Sequence, residues 1–166
     1  MKNSLEIERK FLVDRLPDGL LDRAEKAPIL QGYLLLEPER ELRIRRMGRE
    51  HSMTLKQGRG LQRQEQECVI PAEQFEMLWP LTAGRRIVKT RYRLPRGEHC
   101  WEIDLFAENL SPLILLEVEF ASVVQSREFE IPGFVLREVT DDPAYKNAAL
   151  ATGGLPDRNV KKEEAP

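Results

Sequence analysis

The chain has 166 residues, enough for one domain to bury a core without disulfide staples, and its two cysteines, Cys68 and Cys100, match no zinc spacing and read as ordinary strand residues. One third of the residues are Asp, Glu, Lys or Arg, yet the formal net charge is only -2, so the composition supplies no long-range attraction to nucleic acid or to an anionic membrane. No apolar leader follows Met1 and no run approaches the length of a membrane span, which sets the expectation of a cytoplasmic protein with free thiols.

Residues 5–13 alternate in polarity and read as a strand ended by Asp14 and Pro17. A short helix or loop over 19–27 leads to a strand at 30–36, a turn at Glu37-Pro38-Glu39 and a hairpin partner at 41–47. A second hairpin pairs 52–57 with 62–70 around Gly58-Arg59-Gly60. Pro71 opens a helix on which Phe75, Leu78 and Trp79 share one face. A third hairpin joins 86–94 to 99–106 through Pro95-Arg96-Gly97, and 113–121 is the most apolar strand. A helix over 122–129, a break at Pro132-Gly133 and a last strand at 135–139 follow. Asp142 caps the predicted C-terminal helix, with Pro143 at its first position and Gly153-Gly154 at its end. The expectation is one domain over 1–154 and a disordered, charged tail over 155–166.

Charge sits on these strands at intervals of two. Glu6, Glu8 and Lys10 share a face, as do Arg43 and Arg45, Glu65 and Glu67, Lys89, Arg91 and Arg93, Glu102 and Asp104, and Glu117 and Glu119. Between them stand Ile7, Ile44, Ile103 and Val118, which favour burial. The charged faces either point to solvent or line the inside of a closed sheet whose apolar outer face lies under the helices at 19–27, 71–80 and 122–129. Repetition over so many strands favours the second arrangement. The predicted fold is therefore α+β but mainly β, an eight-stranded antiparallel closed β-barrel with flanking helices.

A lumen of this composition must pair its charges or bind ions. Lys10, Arg43, Arg45, Lys56, Lys89 and Arg91 suit a polyanion, with guanidinium forks matched to phosphate oxygens. Glu6, Glu8, Glu65, Glu67, Glu102, Asp104, Glu117 and Glu119 offer oxygen-only ligands, which select magnesium or manganese over zinc, with Glu6, Glu8, Glu102, Asp104, Glu117 and Glu119 as the expected metal set. Together they describe a metal-bound polyphosphate and phosphoanhydride cleavage, with Glu6, Glu8, Lys10, Lys89 and Glu119 as the expected catalytic set. The competing arrangement for every pair is a salt bridge between these same acids and bases. Glu102 and Asp104 either ligate metal or hold the basic residues in place, and Tyr33 either positions substrate by its hydroxyl or packs. His51 and His99 fall near turns with no partners at metal-ligand spacing, and Trp79 and Trp101 read as packing residues outside the lumen.

Glu6-Ile7-Glu8-Arg9-Lys10 matches the ExExK signature, and in order behind it come Gln31-Gly32-Tyr33-Leu34, Arg43-Ile44-Arg45, Thr54-Leu55-Lys56, Glu65-Gln66-Glu67, Lys89-Thr90-Arg91, Glu102-Ile103-Asp104, Glu117-Val118-Glu119 and Val139-Thr140-Asp141-Asp142-Pro143-Ala144-Tyr145-Lys146-Asn147. Over about residues 4 to 150 this set resembles the CYTH superfamily, the triphosphate tunnel metalloenzymes, and most of all its short bacterial inorganic triphosphatases. The resemblance implies a tunnel barrel, a divalent metal, a small-molecule triphosphate substrate, and a C-terminal helix at one mouth, on which Lys146 either reaches a terminal phosphate or stays a surface lysine and Tyr145 packs. Class IV-type adenylate cyclase, thiamine or nucleoside triphosphatase, and a non-catalytic polyphosphate- or nucleotide-binding module are the alternatives. Product analysis separates the enzymes, and the retained carboxylate pairs weigh against pure binding. An outer barrel face leaves room for a homodimer.

Overall fold

The computed structural model describes residues 7–58 and 64–156. Nine strands follow in chain order: β1 Ile7–Val13, β2 Glu25–Leu36, β3 Arg40–Met47, β4 Glu50–Gln57, β5 Gln64–Val69, β6 Arg86–Arg96, β7 His99–Phe106, β8 Ile114–Phe120 and β9 Val135–Glu138. Helix α1, Ala72–Leu78, lies between β5 and β6; α2, Val123–Glu128, between β8 and β9; and α3, Asn147–Gly153, after β9. The strands form one antiparallel sheet in the order β5-β4-β3-β2-β6-β7-β8-β1-β9. Tight hairpins set much of this register. At the β6–β7 turn Gly97 takes φ +59°, a left-handed conformation that a side chain would strain.

The sheet curls so that its inward face changes character along the strands. At one end β1 to β8 all contribute polar and charged side chains to a single cavity of about 310 Å³. Two residues further along the same faces, Leu12, Tyr33, Ile87, Phe106 and Leu115 are buried together with Tyr145, Leu150 and Ala151, the last two from α3. An apolar floor thus closes one end of the channel. Burial of a Leu or Phe side chain contributes about 1.5–3 kcal/mol, so this floor is also a principal core.

The outer face carries two more apolar clusters. Ile44, Ile70 and Phe75 pack with Met53, Leu78 and Trp79 beneath α1, where the Phe75 and Trp79 rings stack at 5.3 Å. Phe11, Ile103, Leu116, Val118 and Phe120 pack with Leu20, Leu21, Trp101, Phe129 and Phe134. Both tryptophans therefore lie on the outer side of the sheet, away from the charged cavity.

The expected fold, mainly β and antiparallel with few helices, is the one observed; in detail the sheet has nine strands rather than eight and, among the described residues, is not closed, with β5 and β9 as its two edges. The free side of β1, which a closing strand would need, is taken by β9 and by Thr140 Oγ1, which accepts from the Lys10 amide at 3.0 Å. Two expectations need correction. The 19–27 segment is a turn and then strand: Leu20 and Asp22 donate back to Pro17 and Gly19, and β2 begins at Glu25. The C-terminal helix is split. Asp142 caps a 3-10 turn, Pro143–Tyr145, by accepting from the Ala144 amide, then Lys146 is extended (φ -71°, ψ 140°) and α3 starts afresh. The expected tail lies, from residue 157, outside the described residues, as does the turn at Arg59 and Gly60.

Candidate active site

Three strands build the rigid wall of the cavity. Antiparallel register sets Arg91 of β6 opposite Asp104 of β7, and Glu102 of β7 opposite Glu117 of β8. Arg91 donates from Nε to Asp104 Oδ1 and from Nη2 to Asp104 Oδ2 and Glu117 Oε2, each at 2.7 Å, and its Nη1 pairs with Glu102 Oε2. Lys89 Nζ lies 2.5 Å from Asp104 Oδ2, and Lys10 Nζ lies 2.9 Å from Glu117 Oε1. Lys89, Asp104 and Glu117 are all buried, Asp104 wholly so.

Electrostatics confirm which charge states hold this wall. Burial pushes the Asp104 carboxyl up, but the charge of Lys89 and the hydrogen bonds and charge of Arg91 outweigh it and hold it below the ordinary aspartate value. Glu117 behaves alike: burial raises it, and Lys89, Lys10 and Arg91 bring it down against the repulsion of Asp104. For Arg91, burial works against the cation, and bonds to Asp104 with the charges of Glu117 and Glu102 more than restore it. Asp104, Glu117 and Arg91 are therefore ionised at neutral pH, and each fixes its neighbours.

The opposite wall, from β3, β4 and β5, is looser. Arg43 approaches Glu65 at 3.9 Å, Arg45 approaches Glu67 at 3.5 Å, and Lys56 meets Glu65 at 2.9 Å. The Glu65 and Glu67 side chains are 40% and 44% exposed, so solvent screens these pairs and each holds its partner weakly. Burial, then the like charge of Arg43, lowers the pKa of Arg45, with Glu67 opposing and Arg91 adding to the strain. Arg43 Nε is buried without a hydrogen-bond partner. A cluster of cations that destabilise one another, one with an unused donor, has the chemistry to accept an anion.

At the mouth Glu8 of β1 stands directly across from Glu119 of β8, and both are exposed. Two carboxylates facing each other on neighbouring strands repel unless a cation or proton lies with them. Their oxygen-only chemistry fits a magnesium-like ion, which binds through one or two carboxylates and completes its shell with water and substrate phosphate. Among the described residues no three His, Cys, Asp or Glu side chains are grouped to hold an ion by themselves. Glu6, the third carboxylate expected on this face, lies outside the described residues.

Of the remaining expected residues, all but Asp104, Tyr33 and Lys146 line the cavity. Asp104 sits behind the lining as the counter-ion of Lys89 and Arg91. Tyr33 is buried in the apolar floor, where its hydroxyl accepts from Gln31 Nε2 at 2.8 Å, and burial pushes its pKa well up. Lys146 is exposed on the extended link before α3, and it is Asn147 that reaches the cavity. Gln31 and Asn147 were not singled out in the sequence. Gln31 could have been found, since it shares parity with Tyr33, whereas Asn147 depends on where the helix breaks. Thr54, fully buried, donates from Oγ1 to Glu67 Oε2 at 2.8 Å and steadies that carboxylate.

The sequence pattern of the CYTH domain matches residues 4–131. The chain is 52% identical over 149 residues to an inorganic triphosphatase of Nitrosomonas europaea, covering 88% of this chain and 96% of that protein. It is 31% identical over 159 residues to an inorganic triphosphatase of Acetivibrio thermocellus, covering 95% and 98%. Among solved structures, the crystal structure of the inorganic triphosphatase NE1496 superposes with a TM-score of 0.74 at 47% identity, over 90% of this chain and 95% of that one.

Proposed function

The chain belongs to the CYTH domain family, and from that premise we propose that it hydrolyses inorganic tripolyphosphate with a divalent cation, magnesium or manganese, in the charged half of its channel. The observation that carries the proposal is the balance of the lining: Lys10, Arg43, Arg45, Lys56, Lys89 and Arg91 face Glu8, Glu65, Glu67, Glu102, Glu117 and Glu119 around one cavity. Six cations against six carboxylates leave almost no net attraction for a bare polyanion. A polyanion that arrives with cations of its own is matched by both sets.

The two walls divide the labour. Arg43, Arg45 and Lys56 can leave their half-exposed partners at little cost, since such pairs are worth about 0–1 kcal/mol, and turn to phosphate oxygens. Lys10, Lys89 and Arg91 keep their positions because Glu117 and Asp104 hold them, and they present fixed positive charge where charge develops on the leaving pyrophosphate. Glu8 and Glu119, with Glu6, would hold the divalent cation, whose chemistry is to neutralise phosphate charge and polarise the bond to be broken. Glu102 and Asp104 act here as positioning residues for Arg91. The described residues contain no helix long and apolar enough to cross a membrane, and a cytoplasmic site of action is part of the proposal.

The test is product analysis. Purified protein is incubated with tripolyphosphate, ATP and thiamine triphosphate, each with magnesium, manganese or chelator. Phosphate and pyrophosphate in equal amounts from tripolyphosphate, only with metal, is the expected result. Cyclic nucleotide from ATP as the main product, or no turnover of any substrate, would overturn the assignment.

A further inference from the structure

Among the described residues, the buried side-chain oxygen that lacks a hydrogen-bond partner is Asn147 Oδ1, and Asn147 lines the charged cavity. It sits where the charged lining gives way to the apolar floor, next in sequence to the extended Lys146 and on the helix whose Leu150 and Ala151 build that floor. An unused acceptor in a buried site costs free energy, and it is relieved only by a donor. Ionised phosphate oxygens accept and cannot relieve it. Water can, and the carboxylates of the rigid wall are a poor alternative seat for that water, since Glu102 and Glu117 are committed to Arg91 and Lys10. A neutral amide also holds water without adding negative charge against an incoming polyanion.

We propose that Asn147 is a catalytic residue whose Oδ1 accepts a hydrogen bond from the attacking water at the floor of the channel, so that tripolyphosphate enters terminal phosphate first. This rests on the tripolyphosphatase reading above. The water oxygen forms a bond to the terminal phosphorus, and the bond from that phosphorus to the bridging oxygen breaks, its electron pair leaving on pyrophosphate. One water proton stays on the new phosphate as its hydroxyl, and the other is released to solvent. Arg43 Nε, the buried donor without a partner in the same cavity, complements Asn147 by donating to an oxygen of the phosphoryl group under attack. The amide orients and does not take the proton.

The experiment is steady-state phosphate release from tripolyphosphate with magnesium, for wild type, Asn147→Ala and Asn147→Asp, each checked by thermal unfolding. Alanine suits a helix and should fold. Losing one oriented water contact is expected to lower kcat roughly 10- to 100-fold with KM held within about twofold. Asn147→Asp keeps an acceptor oxygen in place but adds negative charge, so its kcat stays near wild type while KM rises. Asn147→Ala with kcat within twofold of wild type overturns the proposal. So does a rise in KM alone, which would mean that the amide is turned over and its nitrogen binds phosphate. Should the alanine variant fail to fold, the aspartate variant decides: kcat kept with KM raised supports the role, and kcat lost with KM unchanged refutes it. A wild type inert on tripolyphosphate removes the parent reading and this inference together, whereas an active wild type with indifferent variants removes only the inference.

Discussion

Carboxylates of one chemical type do two different jobs in this cavity, and burial tells them apart. Asp104 is fully buried beneath Arg91 and Lys89, so Asp104→Ala strips Lys89 of the carboxylate it bonds and Arg91 of one of its three, and should destabilise the fold by about 3–5 kcal/mol, read from denaturant unfolding. Glu119 is exposed opposite Glu8, so Glu119→Gln removes a charge that solvent screens. We expect that variant to stay close to wild type in stability while losing metal-dependent hydrolysis. A loss of stability comparable to that of Asp104→Ala would show that Glu119 is structural. The pH response follows from the same buried acids. Asp104 and Glu117 have folded-state values depressed from ordinary values of 3.8 and 4.5, so their contribution is present in full above those values and is lost as pH falls through the depressed ones. The melting temperature should therefore show little loss through these groups between neutrality and about pH 5 and fall on further acidification. A steep fall already between pH 7 and 5 would contradict this.

At the scale of elements, close packing rather than charge sets where the site stands. Gly32 in β2 touches the 3-10 turn Trp79–Thr82: an added Cβ would lie 2.5–2.8 Å from the Thr82 side chain. Thr82 in turn accepts from Arg86 Nε at 2.9 Å and donates to the Trp79 carbonyl. Gly32→Ala should cost about 1–3 kcal/mol by overpacking and should disturb the flanking Gln31 and Tyr33; unchanged stability would mean that the turn gives way freely. On the other side, Arg9 lies outside the lumen, bonded to Glu138 of β9 and to the Ser126 carbonyl of α2, with its guanidinium over Phe11 and Phe129. The alternating charges of β1 are thus split between two tasks, with Lys10 inside and Arg9 fastening the outer layer.

This division explains what could be read from the sequence and what could not. Period-two charge on β3, β6, β7 and β8 was legible, because side-chain direction in a strand depends on parity alone. The half-filled channel was not, because Leu12, Tyr33, Ile87, Phe106 and Leu115 share parity with the charged residues and only packing against α3 reveals them as a floor. The open edge between β5 and β9 escaped for a similar reason: closure depends on pairing between distant segments, which no local pattern encodes. Lys146 was expected to reach into the channel and Asn147 lines the cavity instead, since a break of one residue after Tyr145 changes which side chain faces inward.

For the molecule as a whole, a net charge of -2 and a cavity with equal numbers of acids and bases make anion binding depend on a cation that comes with it. The central claim is that this cavity, and no other surface, is where triphosphate is cleaved. Its most direct test compares metal-dependent phosphate release from tripolyphosphate by wild type, by Arg43→Ala in the lining, and by Arg15→Ala on the exposed outer surface. The account predicts a fall in kcat/KM of roughly 100-fold for Arg43→Ala, as for loss of an oriented phosphate donor, and no change for Arg15→Ala. An Arg43→Ala enzyme as active as wild type, or an Arg15→Ala enzyme that is inactive, would contradict it.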